Sequence, residues 1–143
     1  MFSSISIIFF AVQRSAADSQ FFFLTFYKKS MITDIRPSPL KTKRFRATIL
    51  KHDGTKQRID FGLKDGVTYI DKLPNGTSVR TKQERHNYLQ RHLANPIEKK
   101  LIENLIPSPS LLSALLLWGK HTSLEKNVDE LNKLWLKRSD GRT

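Results

Sequence analysis

RFRATILKHDGTKQRIDF, residues 44–61, is the stretch of the chain that decides its fold. Apolar residues alternate with polar ones on both sides of an Asp53-Gly54 pair, at Phe45, Ala47, Ile49, Ile59 and Phe61. Alternation of period two is typical of a strand with one buried face, and Asp-Gly favours a tight turn. The stretch therefore predicts an antiparallel β-hairpin with an apolar inner face.

The segments that flank the hairpin are predicted to be extended. Before it, residues 31–40 form a lead-in whose backbone is restricted by Pro37 and Pro39. After it, Val67–Ile70 is predicted to be a third short strand, and Pro74-Asn75-Gly76 marks the tip of a surface loop.

Capping signals divide the rest of the chain into four predicted helices. The first opens with the capping box of Thr81 and Glu84 and runs to about Leu93. The second and the third begin with an N-cap residue followed by proline, at Asn95-Pro96 and Ser108-Pro109.

The third and fourth predicted helices carry most of the helical apolar surface. The second helix is expected to end near Leu105 and the third at Trp118, before Gly119. Because Leu111–Trp118 is apolar nearly all round, it is either the central buried helix or part of a protein contact. Thr122 is expected to cap the fourth helix, whose apolar stripe comprises Leu124, Val128, Leu131 and Leu134.

Together these elements predict an α+β fold: a small antiparallel β-hairpin or three-stranded sheet followed by four short α-helices, after a poorly ordered N-terminal segment. We assign residues 41–138 to a single basic domain, 31–40 to the lead-in and 139–143 to a tail.

Residues 1–30 differ in composition from the rest of the chain, being rich in Phe and poor in basic residues. A signal peptide would explain the apolar run Ile5–Val12, but its charged n-region is missing. A true start at Met31 explains the abrupt change better. We therefore expect residues 1–30 to be disordered or to lie upstream of the functional start.

The chain is strongly basic, with 25 Lys and Arg against 13 Asp and Glu and a formal net charge of +12. Such a surplus favours a polyanionic partner, although an ordinary basic surface is the alternative. The absence of cysteine excludes disulfides, a zinc ribbon and a thiol nucleophile. The apolar run Leu111–Trp118, broken only by Ser113, is far shorter than the ~20 residues of a membrane-spanning helix, so no membrane role is expected.

Two basic clusters are the candidate polyanion-binding sites. Arg44 and Arg46 are expected to project together from the outer face of the hairpin, where a basic ribbon can lie against phosphates. The hairpin cluster comprises Lys41, Lys43, Arg44, Arg46, Lys51, Lys56 and Arg58. The cluster on the first helix comprises Arg85, Tyr88, Arg91 and His92. Ordinary solvated surface is the alternative for both clusters, and Tyr88 also fits the core.

The two tryptophans give a second hypothesis. Trp118 and Trp135 close the apolar faces of their helices, so core packing is the first interpretation. Exposed Trp side chains would instead anchor a protein interface. In that case the chain docks on another protein through its C-terminal apolar helices.

Signatures of catalysis are absent from the sequence. It holds no phosphate-binding Gly-rich loop, nucleophile elbow or HExxH pair, and His86 and His92 are spaced wrongly for a metal pair. A metal-dependent nuclease using Asp60, Asp65 or Asp71 is a third hypothesis, although Asp at these positions also suits turns. We therefore expect no enzyme activity, no catalytic residue, no cofactor and no metal.

A series of short strings, in order, resembles a family of small uncharacterised basic proteins of nucleocytoplasmic large DNA viruses, such as algal phycodnaviruses and mimivirus-like giant viruses. The resemblance covers about residues 41–137, and Asn104–Gly119 is its most specific part. The strings are Phe61-Gly62, Thr68-Tyr69-Ile70-Asp71, Asn87-Tyr88, Arg91-His92, Leu101–Leu105, Pro107–Ser113, Leu117-Trp118-Gly119, and Leu131-Asn132 through Trp135.

Two departures accompany the resemblance. The family often has His directly after the Thr-Tyr-Ile-Asp string, where this chain has Lys72, and Leu73–Arg80 is an insertion. Because the family is a domain of unknown function, no site residues are carried over. The resemblance implies a viral protein located in the virion or in the viral factory of the host cytoplasm or nucleus. Its expected partner is nucleic acid or an acidic viral protein. In this setting, the alternative in which the tryptophans anchor an interface makes the chain a minor capsid or scaffold component that docks through its C-terminal apolar helices.

Overall fold

A computed structural model of the chain describes residues 30–139. Its elements, in chain order, are β1 Met31–Pro37, β2 Lys43–Leu50, β3 Lys56–Leu63, α1 Lys82–Leu93, α2 Pro96–Glu103, α3 Pro109–Leu112 with a π-helical continuation at Ser113–Leu117, and α4 Leu124–Ser139. The predicted α+β fold, with a three-stranded antiparallel sheet and four helices, is confirmed. The predictions for residues 1–29 and 140–143 lie outside the described residues.

The predicted hairpin forms the centre and one edge of the sheet. The strand order is β1-β2-β3, and both pairs are antiparallel. Phe45 lies opposite Phe61, and Ala47 lies opposite Ile59, so one face of the hairpin is apolar. That face packs against the helices and forms the core together with the buried residues of α3 and α4.

The first strand of the sheet comes from the predicted lead-in, which corrects the assignment of residues 31–40 to a segment outside the domain. Met31, Ile32 and Ile35 are all buried in the core. Asn132 on α4 pairs with both backbone groups of Ile32: Oδ1 accepts from the N–H at 2.8 Å, and Nδ2 donates to the carbonyl at 3.2 Å. The register shifts between Ile32 and Asp34, which interrupts the alternating pattern that identifies a strand in sequence.

The prediction of a strand at Val67–Ile70 is wrong. These residues follow an irregular path and a turn, with Asp71 accepting a hydrogen bond from the Thr68 N–H at 2.7 Å. The Tyr69 N–H donates to the Leu117 carbonyl at 3.1 Å. The β-branched residues here therefore serve a loop that packs on the helices.

The predicted starts of the first three helices are confirmed. The capping box of Thr81 and Glu84 opens α1, Asn95 caps α2, and Ser108 caps α3. Helix α2 ends at Glu103, two residues before the predicted end at Leu105.

Two details of the fourth helix are corrected. Helix α4 begins after Ser123, whose Oγ accepts from the Lys126 N–H at 3.3 Å, so Ser123 rather than Thr122 caps it. Leu134 is 43% exposed, whereas Trp135 is 4% exposed and completes the buried stripe. The buried stripe therefore runs through Leu124, Val128, Leu131 and Trp135, the regular i, i+4, i+7, i+11 spacing of one helix face, and Leu134 lies beside it.

The third helix is buried, as its sequence allowed, but it is not a uniform α-helix. The Trp118 N–H donates to the Ser113 carbonyl at 3.1 Å, the wider spacing of a π-helical turn. Its central residues Leu111, Leu112, Ala114, Leu116 and Leu117 are buried. No helix within residues 30–139 is long and apolar enough to cross a membrane.

Candidate functional site

A groove of about 460 Å³ lies between the end of β3, the loop after it, and helices α1 and α3. The loop takes this path because Gly62 has a positive φ of 79° and the strand ends one residue later. Basic, aromatic and apolar side chains line the groove together; those that bear on its chemistry are Lys43, Leu63, Val67, Arg80, Tyr88, Arg91, His92, Glu98, Ser110 and Trp118.

Cations occupy both banks of the groove. Lys43 is on the bank formed by the sheet, and Arg80 and Arg91 are on the bank formed by α1 and the segment before it. A neighbouring depression, lined by Lys41 and Lys64, continues the first bank. Within residues 30–139, no carboxylate oxygen lies within 4 Å of the charged nitrogens of Lys43 or Arg91, and the Arg91 guanidinium lies 5.8 Å from the centre of the Tyr88 ring.

Three aromatic rings form a stack along one wall. The Tyr88 ring lies parallel to the Trp118 ring with centroids 4.4 Å apart, and the His92 ring lies 4.2 Å from Tyr88. Two rings at these distances cannot share one face of a phenol ring, so both faces of Tyr88 are covered. Burial raises the pKa of Tyr88, and the charge of Glu98 adds to the effect, so its phenol stays neutral. Tyr88 is therefore a wall of the groove rather than an open platform for bases.

Hydrogen bonds fix the positions of the groove's polar residues. His92 Nδ1 lies 2.9 Å from Glu98 Oε1, to which the Ser110 hydroxyl donates at 3.2 Å. Arg80 donates to the Val67 carbonyl at 3.0 Å and to Glu84 at 3.0 Å. Glu98 is the one carboxylate that the described residues contribute to the lining.

Arg85 does not line the groove but holds the backbone that carries Trp118. Its Nε donates to the Trp118 carbonyl at 2.9 Å and to the Gly119 carbonyl at 2.7 Å. These bonds satisfy carbonyls at the end of the π-helical turn. Of the predicted cluster on the first helix, Tyr88, Arg91 and His92 thus line the groove, while Arg85 holds the helix end that carries Trp118.

The expectation that Arg44 and Arg46 are both available to phosphate is wrong. Arg44 binds Asp71 with two hydrogen bonds of 2.9 and 2.7 Å. Arg46 binds Asp60 with two bonds of 3.0 Å. Each guanidinium is therefore largely neutralised inside the molecule.

The pKa values of the two carboxyl groups respond to these pairs. Burial of Asp71 opposes ionisation, but hydrogen bonds from Arg44 and Thr68 outweigh it and lower its pKa. The hydrogen bond from Arg46 outweighs desolvation and lowers the pKa of Asp60, helped by Ser38.

The remaining hairpin cations do not join the groove. Lys51 and Lys56 lie at the turn end of β2 and β3, roughly 23 Å from Lys43, because a strand rises about 3.3 Å per residue. Arg58 lines a separate shallow depression on the outer sheet face, together with Arg46 and Lys56. The predicted hairpin cluster therefore does not form one surface: only Lys43 lines the groove, Lys41 lies in the depression beside it, and the other members lie elsewhere on the molecule.

The surface proposed for docking through the C-terminal helices is used by the core. Trp135 is buried, and its Nε1 donates to the Leu105 carbonyl at 2.8 Å. The exposed-anchor interpretation is therefore wrong for Trp135, whereas half-buried Trp118 lines the groove.

The carboxylates of the nuclease hypothesis do not converge on a metal-binding arrangement. Asp60 and Asp71 each bind an arginine, as described above. Among residues 30–139, no group of three or more His, Asp or Glu side chains is placed to hold a metal ion.

Sequence reasoning missed several groove residues, above all Leu63, Arg80, Glu98 and Ser110, and it missed Lys64 in the neighbouring depression. The sequence placed Arg80 only in the insertion Leu73–Arg80, and nothing in the local pattern around Glu98 indicated a place in a groove. The chain itself matches no protein-family model, no curated protein and no solved structure.

Proposed function

We propose that this chain is a non-enzymatic basic module that binds nucleic acid through the groove between β3, α1 and α3. The observation that carries the proposal is the placement of Lys43 and Arg91 on opposite banks without an internal carboxylate partner. Arg44 and Arg46, by contrast, are paired with Asp71 and Asp60. Lys56 and Arg58 on the outer sheet face also form no ion pair within residues 30–139, but they line a shallow depression without aromatic side chains. The groove is the place where unpaired cations lie together with aromatic and apolar walls.

Electrostatics gives the mechanism. A formal charge of +12 attracts a polyanion at long range, and the groove cations then pair with individual phosphates. Each neutralised phosphate releases counterions, so contacts at Lys43 and Arg91 give a logarithmic salt slope of about −1.4 for a single strand and about −1.8 for a duplex. Such binding weakens as salt rises. An acidic viral protein is the alternative ligand, and it would compete for the same cations.

The biological setting is also part of the proposal, and it rests on the sequence resemblance alone. A basic module of this kind would act in a large DNA virus, either within the virion or in the viral factory of the infected cell. Nucleic acid is the polyanion present in both places.

A charge-reversal pair tests the location of the site. We expect Lys43→Glu combined with Arg91→Glu to weaken binding of an oligonucleotide by roughly a hundredfold, and to flatten the salt slope by about 1.4 for a single strand and about 1.8 for a duplex. The matched control is Lys51→Glu combined with Lys56→Glu, which changes the net charge equally at the far end of the sheet. This control should lower affinity only a few-fold, because it weakens the long-range attraction between the chain and the oligonucleotide without removing a phosphate contact.

The two outcomes that contradict the proposal differ in meaning. Equal losses from both double variants would show that net charge, and not the groove, determines binding. Affinity of the unmodified chain that stays flat between low and physiological salt would remove the phosphate mechanism itself. Fluorescence anisotropy of a labelled oligonucleotide measures both quantities.

A further inference from the structure

Apolar side chains share the groove with the cations. Leu63 is 71% exposed although it lines the groove, and Val67 and the Trp118 ring belong to the same lining. Pockets that recognise small organic groups combine apolar walls with a few placed polar groups. A site for phosphate alone has no use for an exposed leucine beside a tryptophan.

The state of the bases decides which nucleic acid can use such walls. A double helix stacks and pairs its bases, so their faces are hidden and its phosphates lie on a convex surface. A single strand can turn an unstacked base toward the protein while its phosphates meet cations. A concave groove of about 460 Å³ has the volume of a small-molecule pocket, which fits one nucleotide unit and not a duplex.

We infer that the groove holds a single strand, with one unstacked base against Leu63 and Trp118 and the flanking phosphates on Lys43 and Arg91. The inference rests on the proposed function and names its substrate class. Tyr88 takes no part as a stacking platform, because Trp118 and His92 cover its faces. Its role is to hold the Trp118 ring in place from the other side.

The two tryptophans make the base contact measurable. Trp135 is 4% exposed in the core, so a ligand that changes tryptophan emission does so through Trp118. The full chain is titrated with an oligothymidylate of about ten nucleotides, with the matched thymidylate–adenylate duplex, and with an oligoglutamate peptide. We expect the single strand to quench emission and to bind about tenfold more tightly than the duplex at the same ionic strength.

A matched pair of surface variants separates the base contact from charge. Leu63→Ser removes an apolar side chain from the groove without touching the core. Ile97→Ser makes the same chemical change at a side chain that is 73% exposed and outside the groove lining. We expect Leu63→Ser to weaken single-strand binding about fivefold with an unchanged salt slope, and Ile97→Ser to leave it unchanged.

The possible results distinguish failure of the single-strand inference from failure of the proposed nucleic-acid binding. Equal affinity for strand and duplex, or no effect of Leu63→Ser, overturns the single-strand inference and leaves nucleic-acid binding standing. Tighter binding of oligoglutamate than of either nucleic acid, or no binding of nucleic acid at all, overturns both. Quenching by ribonucleotide and deoxyribonucleotide strands alike supports the inference, because the contacts named involve bases and phosphates and not the 2′-hydroxyl.

Discussion

Asp71 is the residue that ties the loop after β3 to the sheet. It accepts hydrogen bonds from Arg44 and from the backbone and hydroxyl of Thr68. We expect Asp71→Asn to lower the free energy of unfolding by about 2 kcal/mol, because it leaves a partly buried guanidinium without its carboxylate. Urea denaturation measures the change. Asp65→Asn, at an exposed aspartate on the same loop, is the control and should cost almost nothing.

The same carboxyl group predicts a pH dependence. The pKa of Asp71 is lower in the folded chain than its ordinary value, so its stabilising effect is complete above about pH 4 and is lost as pH falls through the folded pKa. Unfolding free energy should therefore drop in acid, and drop less in Asp71→Asn. Some dependence should remain in the variant because the pKa of Asp60 is also lowered. Identical acid profiles for the two proteins would contradict the assignment.

The backbone conformation of Gly62 directs the loop that borders the groove. A Cβ added there would lie 2.8 Å from Leu117 Cδ1, and the φ of 79° is unfavourable for any other residue. Gly76 has a φ of 88° but open space around it, so Gly76→Ala isolates the backbone cost, about 1 kcal/mol. Gly62→Ala should cost about 2–3 kcal/mol, since it adds a clash with the core. Equal costs in urea denaturation would show that Leu117 moves aside freely.

Among the elements, β1 is the strand that its own sequence does not identify. Ile35 is 0% exposed, whereas Leu40, in the same predicted lead-in, is 46% exposed. We expect Ile35→Ala to destabilise the fold by about 3 kcal/mol and Leu40→Ala by about 0.5 kcal/mol. Chemical denaturation of both variants measures this. Similar small losses would mean that β1 is a weakly held addition to the hairpin.

Which elements the sequence could predict depends on how far apart in the chain the interacting residues lie. The hairpin and the starts of α1, α2 and α3 depend on chemistry within a few residues, such as Asp53-Gly54 or Thr81 with Glu84, and they were predicted correctly. The pairing of Asn132 with Ile32 joins residues 100 positions apart, and no local pattern specifies it. The local sequence of β1, taken without that contact, therefore predicts only a proline-restricted lead-in.

The same limit applies to the candidate site. Arg44 and Asp71 are 27 positions apart, and Arg46 and Asp60 are 14 apart, so the alternation of charge in β2 gave no sign that both arginines are neutralised. The alternation predicted which face they occupy and not which partners they meet. The cluster of Arg85, Tyr88, Arg91 and His92 was predicted as one group because a single helix carries all four residues. Tyr88, Arg91 and His92 do line one groove, whereas Arg85 binds the Trp118 and Gly119 carbonyls.

At the scale of the whole molecule, the excess positive charge links folding to binding. A ligand that binds the folded chain alone raises its stability, by about 2.7 kcal/mol at a hundredfold excess over the dissociation constant. For a domain of this size that is a rise in Tm of roughly 10 °C.

We therefore expect a single-stranded oligonucleotide to raise Tm at low salt, and added sodium chloride to abolish the rise by weakening the phosphate contacts. Differential scanning fluorimetry with salt-matched blanks separates this loss from the effect of salt on the free chain, whose self-repulsion it also screens. The variant with Lys43→Glu and Arg91→Glu should show almost no ligand-dependent rise, while the variant with Lys51→Glu and Lys56→Glu keeps most of it. A rise that survives high salt would mean that the ligand is held by something other than its charge.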